Sequence, residues 1–309
     1  MLPLPWQETL WDSLNSNIEN GRLPHAILIN GPSGIGKMRL AKALAQHLLC
    51  QTEMTKYACG SCKGCQLLAA GSHDDLSMLE PEEPGKPIKI DAVRALIESL
   101  GKTAHQGGWK VAIFSPAEAM NNNAANALLK SLEEPQPKTL LILVSHRPSL
   151  LSATIRSRCQ QIAMPIPDSG IASQWLTEVT GDQSAVDKVL FLAAGKPLLA
   201  LDYLQSDTLQ VRQSFEELVA KVRAGDISPL NAAQQCQKLD LSQTIDWFSS
   251  YIHRLATTDL AEKPIPALFS FSDKLLQARN WVVSGNNPNA QLLWEELFMD
   301  WLMVFAARR

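Results

Sequence analysis

Apolar positions along this chain recur with two periods, and the change from one to the other divides it. In PWQETLWDSLNSNIENGRLP, Trp6, Leu10, Leu14 and Ile18 fall roughly on one face, which predicts a helix. HAILING is a short apolar run closed by Gly31; a glycine-rich turn follows, and then MRLAKALAQHLLC, where Leu40, Ala43, Leu44, His47 and Leu48 have helical spacing. Strand, turn and helix in that order predict a βα unit. Further on, DDLSMLEP predicts a strand and IKIDAVRALIESL a helix that begins near Asp91. WKVAIFS and TLLILVS are continuous apolar runs suited to buried parallel strands, and NNAANALLKSLEEP between them predicts a helix stopped by Pro135. ATIRSRCQQIAM leads into one more strand. Strands alternating with helices predict an open, mostly parallel sheet with helices on both faces.

From Pro165 onward the strand patterns fade, and IASQWLTEV, SAVDKVLFLAAG and TLQVRQSFEELVAKVRAG are helical in period. PIPDSG supplies proline and a helix cap, so a domain boundary is expected at about 165–168 and a second near 207. In IDWFSSYIHRLA, Ile245, Phe248, Ile252 and Leu255 form a stripe. The last segment, QLLWEELFMDWLMVFA, is apolar nearly all round, with Trp294, Phe298, Trp301 and Phe305, and a lone helix of that kind is expected to be buried. Glu295, Glu296 and Asp300 make it costly as a membrane span.

With 309 residues, 46% of them hydrophobic, the chain can fill the cores of two or three domains. Its net charge of −3 provides no chain-wide basic field for nucleic acid. The opening MLPLPWQETLW lacks the charged start and apolar core of a signal peptide, and a soluble cytoplasmic protein is expected. Four of the six cysteines cluster as Cys50, Cys59, Cys62 and Cys65, whereas Cys159 and Cys236 stand alone. In a chain read as cytoplasmic, that spacing points to four thiolates around one ion, a closed structural zinc site. His47 and His73 flank the cluster and are expected to be packed or surface residues rather than ligands.

The turn after HAILING reads GPSGIGKM. Gly31, Gly34 and Gly36 let backbone N–H groups converge on a phosphate, and Lys37 could reach a terminal phosphoryl oxygen. A working loop of this type continues with Ser or Thr, whose hydroxyl ligates magnesium; Met38 supplies a soft thioether instead. The buried strand WKVAIF should end in an Asp for the metal and a Glu for water, but Ser115 and Pro116 stand there. Glu118 lies too far along to inherit either job without distorting the turn. Phosphate or nucleotide binding is therefore left open, against a tight turn that binds nothing, and hydrolysis is not expected. In TIRSRC, Arg156 and Arg158 sit at a short turn or helix, and by themselves read as surface charges.

Taken together, HAILINGPSGIGK, the inserted CGSCKGC, AANALLKSLEEP and ATIRSRC resemble the bacterial clamp-loader branch of the AAA+ ATPases, from about residue 22 to residue 200. The resemblance implies an α/β AAA+ P-loop domain over 1–166, a parallel sheet flanked by helices, with an inserted four-cysteine zinc module at 50–65. It further implies a small helical lid over 167–206 and an all-α collar for oligomerisation over 207–309. Ser157-Arg158-Cys159 matches the family's SRC motif, which makes Arg158 an arginine finger acting in trans on a neighbouring subunit's ATP. Gly195-Lys196-Pro197-Leu198 matches the segment in which active motor subunits carry a lid arginine, with Leu198 in its place.

Met38, Ser115-Pro116 and Leu198 are the departures expected of a non-hydrolysing stator, with ATP or ADP binding at its own loop left open. The implied partners are motor subunits of the gamma/tau type and a clamp-opening subunit in a hetero-pentamer. Through that assembly they include the sliding clamp and primer-template DNA of chromosome replication. One rival is an ATP-hydrolysing motor subunit. Another is a zinc-ribbon nucleic-acid binder, for which Lys56 and Lys63 are the available cations.

Overall fold

Ile27 and Ile29 face one side of their strand and Ala26 and Leu28 the other, and all four are buried. That two-sided burial is what a central parallel strand requires. The computed structural model describes residues 2–52, 56–83, 85–102, 104, 108–257, 266–283 and 288–306. Five strands, β1 (Ala26–Asn30), β2 (Leu76–Leu79), β3 (Lys110–Phe114), β4 (Thr139–Ser145) and β5 (Gln160–Ala163), form a parallel sheet in the order β2-β3-β4-β1-β5. The register sets Ile27 beside Ile142 and Ile29 beside Ile162.

Helices α1 (Glu8–Glu19) and α2 (Lys37–Leu48) supply Trp11, Leu14, Leu40 and Leu44 to one face of the sheet. A short α3 (Lys63–Ala69) lies in the cysteine segment. On the other face, α4 (Ile90–Leu100), α5 (Asn122–Glu133) and α6 (Ala153–Arg158) supply Val93, Leu96, Leu128, Leu132 and Ile155. Side-chain caps start α5 and α6: Asn121 accepts from the N–H of Ala124 and Ser152 from that of Ile155.

The first helix departs from the expected face. Pro5–Gln7 form a single 3-10 turn, so α1 begins at Glu8 and buries Trp11, Leu14, Asn15 and Ile18, while Trp6 and Leu10 are only half-buried.

The chain divides into two compact units, Met1–Asp202 and Tyr203–Arg309. The first also holds α7 (Ser169–Thr180), α8 (Val186–Leu192) and the start of α9 (Pro197–Gln205). Asp168 caps α7 through the N–H groups of Gly170 and Ile171, as the PIPDSG pattern predicts.

The second unit contains α10 (Thr208–Ala224), α11 (Pro229–Cys236), α12 (Leu241–Thr257), α13 (Pro266–Val283) and α14 (Ala290–Ala306). Its core joins Phe215, Phe248, Phe271, Trp294, Phe298 and Trp301. The Trp301 indole donates to the carbonyl of Val219 at 2.9 Å, so this buried N–H costs nothing unpaired. The Arg212 guanidinium, also buried, is held by Glu216 at 2.9 Å and by the Tyr203 hydroxyl at 3.3 Å. The stripe Ile245, Phe248, Ile252 and Leu255 is buried as predicted. Helix α14 is not buried all round: Leu292, Met299 and Met303 are exposed along one side. Among the described residues no helix is long and apolar enough to cross a membrane.

Candidate functional site

The carboxyl ends of β1, β3 and β4 converge where the glycine loop runs from Asn30 into α2, the crevice in which open parallel sheets place ligands. Gly31, Gly34 and Gly36 all have positive φ, and the backbone makes the turn read from their spacing. The loop closes on itself. Lys37, only 3% exposed, donates from Nζ to the carbonyl of Gly31 at 2.6 Å and to that of Pro32. Burial pulls its ammonium down to about 8, with the Glu118 carboxylate opposing and Lys196 adding to the shift.

The turn at Pro5–Gln7 covers the loop from one side. Trp6 Nε1 donates to the Ile35 carbonyl at 2.9 Å and Gln7 Nε2 to that of Gly36 at 2.9 Å. From another side the Leu198 N–H donates to the Gly34 carbonyl at 2.9 Å, so Leu198 does lie at the loop. Met38 turns into the core cluster of α1, α2 and the sheet, where a thioether packs well.

Glu118 reaches the crevice after all. A single 3-10 turn at Ala117–Ala119 follows β3, and Glu118 Oε1 accepts from the N–H groups of His146 at 2.9 Å and Arg147 at 3.1 Å, just past β4. Its other oxygen, Oε2, is buried with no hydrogen-bond partner among the described residues. Spacing along β3 alone gave no sign of this, because the partners come from another strand's end.

The four cysteine sulfurs lie within 4.8 Å of one another. Cys50 and Cys62 Sγ are 3.9 Å apart, and Cys59 and Cys65 Sγ 4.0 Å. A tetrahedral ion with metal–sulfur bonds of about 2.3 Å needs sulfurs about 3.8 Å apart, so the set fits and can hold a metal ion. Backbone N–H groups already point at it: those of Cys62 and Ser61 approach Cys59 Sγ at 3.3 and 3.4 Å, and hold the Cys59 thiol down to about 5. The histidines stay outside the set. His73 Nδ1 accepts from the Asp75 N–H at 3.1 Å, and His47 packs edge-on against Trp11 at 5.6 Å.

The module is fastened to α1. Both Trp11 Nε1 and Asn15 Nδ2 donate to the Lys56 carbonyl at 2.9 Å, and Tyr57 stacks on Trp11 at 5.9 Å. Lys56 itself pairs with Asp12 at 2.8 Å and Glu8 at 3.2 Å. One of the two cations considered for nucleic acid is thus engaged within the protein.

In the TIRSRC segment, Ile155 and Cys159 are buried and fix α6 to the sheet; burial pushes the Cys159 thiol up to about 11. Ser157 Oγ donates to the Thr154 carbonyl at 3.1 Å. Arg158 closes α6 with its side chain 34% exposed, one Nη donating to the Thr154 carbonyl at 3.1 Å and the other 2.5 Å from Glu133. Lys37 is buried in its own loop, whereas Arg158 is held at the end of α6 and partly exposed.

Sheet order, glycine loop and flanking helices define a P-loop-type α/β domain. The model of a family described as "DNA polymerase III, delta subunit" matches residues 6–168. The delta-prime subunit of DNA polymerase III from Pseudomonas aeruginosa is 40% identical over 319 residues, covering 96% of either chain. That of Escherichia coli K12 is 40% identical over 231 residues, 74% of this chain and 69% of that one. The tau subunit of Salmonella typhimurium is 32% identical over 162 residues, 52% of this chain and 25% of the other. The chain belongs to the delta-prime subunit family of DNA polymerase III. Its fold is shared with a gamma subunit-related protein of Thermotoga maritima at a TM-score of 0.51 and 19% identity, covering 95% of this chain and 98% of that one.

Proposed function

We propose that the chain is a non-hydrolysing stator of a clamp loader, which supplies Arg158 in trans to a neighbouring motor subunit's ATP and helps load a sliding clamp on primer-template DNA. The observation that carries this reading is the contrast between two cations. Lys37 is buried on the carbonyls of its own loop, whereas Arg158, paired with Glu133, stays about one-third exposed (34%) at the end of a helix anchored by Ile155 and Cys159. A loop whose lysine is satisfied internally offers little to a triphosphate, and Met38 and Ser115 provide no metal hydroxyl–carboxylate pair. Leu198, sitting on Gly34, adds no positive charge there.

In this reading the helices over 167–206 form a lid, and 207–309 a collar whose exposed Leu292, Met299 and Met303 meet neighbouring subunits. The partners are gamma/tau-type motor subunits and a clamp-opening subunit in a cytoplasmic hetero-pentamer. The ion of the thiol module is Zn2+, the natural occupant of a closed four-sulfur set; it staples the segment and takes no part in phosphate chemistry.

The test is reconstitution with the motor and clamp-opening subunits. Arg158→Ala should leave assembly intact and lower DNA-stimulated ATP turnover, since a finger in trans is worth on the order of 10³ at its own site. Unchanged turnover overturns the finger. Magnesium-dependent turnover by the purified chain, lost in Lys37→Ala, would make it a motor subunit instead.

A further inference from the structure

Glu133 ends α5, within the SLEEP stretch of AANALLKSLEEP, and the function proposed above gives it no role. Its Oε1 lies 2.5 Å from an Nη of Arg158. The other Nη of Arg158 donates to the carbonyl of Thr154 at 3.1 Å, one turn back along α6. The guanidinium is thereby pinned from two elements, by a carboxylate on α5 and a backbone carbonyl on α6. A guanidinium has five N–H donors, and these two contacts leave others for a ligand. The side chain is also 34% exposed, so it is held without being covered.

An arginine at the end of a six-residue helix is otherwise free to sample many rotamers, and a group that must meet a developing charge acts best when already oriented. We propose that Glu133 is a positioning residue for Arg158, which orients the guanidinium towards a nucleoside triphosphate held by a neighbouring subunit. The proposal rests on the finger reading of Arg158. With Glu133 half exposed the pair is a surface ion pair, modest in strength and reversible, so its loss blunts the finger rather than abolishing it.

The experiment uses the reconstituted loader. Glu133→Ala should lower kcat of DNA-stimulated ATP turnover about three-fold, leave KM for ATP within about two-fold, and leave assembly and the thermal midpoint of the chain unchanged. Glu133→Gln, which keeps an acceptor oxygen without the charge, should fall between. In an Arg158→Ala background Glu133→Ala should have no further effect. An equal loss in that background assigns Glu133 a structural role and overturns the proposal. A rise in kcat overturns it too, because the carboxylate would then be competing with phosphate for the guanidinium.

Failure of the finger reading is recognised separately, by Arg158→Ala leaving turnover unchanged. The positioning contact is then judged on the isolated chain, by the solvent exchange of the Arg158 guanidinium protons in 15N NMR. Glu133→Ala should speed that exchange several-fold, and unaltered exchange rejects the contact.

Discussion

The ammonium of Lys37 lies 2.6 Å from the carbonyl oxygen of Gly31, so the residue that follows the last loop glycine folds back onto the first. Pro32 shares the same donor. A cation so enclosed keeps its hydrogen bonds but loses its water, and that loss is what lowers its proton affinity.

A pH dependence follows. The folded value of about 8 lies below the ordinary 10.5, so between them the unfolded chain keeps a proton that the folded chain has released. The contribution of Lys37 to stability is therefore flat below about pH 8 and rises from there towards pH 10.5. Urea unfolding of the natural chain and of Lys37→Met, compared near the two ends of that window, should show the difference moving in favour of the lysine. A constant difference would mean that the ammonium is no harder to hold in the loop than in water.

The turn over the loop can be tested through Gly36. Its φ is 89°, and an added Cβ would lie 2.4 Å from Leu4 Cδ1 and 2.9 Å from Gln7 Nε2. Gly181, which closes α7 with φ 73°, has nothing within 4 Å of such a carbon. Gly181→Ala should cost about 1–2 kcal/mol through the backbone alone. Gly36→Ala should cost roughly 1–3 kcal/mol more, because Leu4 and Gln7 must move. Equal shifts in thermal midpoint would refute a tightly seated turn.

Chelation should separate the thiol module from the sheet. A metal ion held by Cys50, Cys59, Cys62 and Cys65 would, on removal, loosen a segment whose carbonyl at Lys56 receives Trp11 and Asn15. Trp11 fluorescence is expected to change as one metal ion per chain is released, while far-UV circular dichroism keeps most of its amplitude. A protein that yields no metal to a strong chelator, with Trp11 unaltered, contradicts the site.

The strands and the thiol cluster were legible because their signals are local. Apolar runs such as Lys110–Phe114 and Thr139–Ser145 can scarcely pack except in the middle of a sheet, and four cysteines within sixteen positions need no long-range information. Helix α11 escaped because its packing relies on Ala232, Ala233 and Cys236, small side chains with little periodic signal. In α13 the exposed Phe269 and Leu276 stand beside the buried Leu268 and Leu275 and blur the period. Choosing Trp6 over Trp11 for the first helix failed for another reason. The phase of α1 is set by the turn that grips the loop, a tertiary constraint absent from the helix itself. The contact of Glu118 with the end of β4 and that of Glu133 with Arg158 had no local signal: each carboxylate meets its partner only after distant segments are brought together.

The sheet order also has a meaning in time. β1 is made first of the five strands, yet its neighbours β4 and β5 are made last. During synthesis β1 waits with both edges bare, the condition in which a strand is most open to wrong pairing. The cysteine segment emerges in that interval, and α1, already synthesised, can clasp it through Trp11 and Lys56. A metal ion captured then acts on a chain whose sheet does not yet exist. Scarcity of metal should therefore show first in how many chains reach the native state, and only later in how firmly the finished ones hold it.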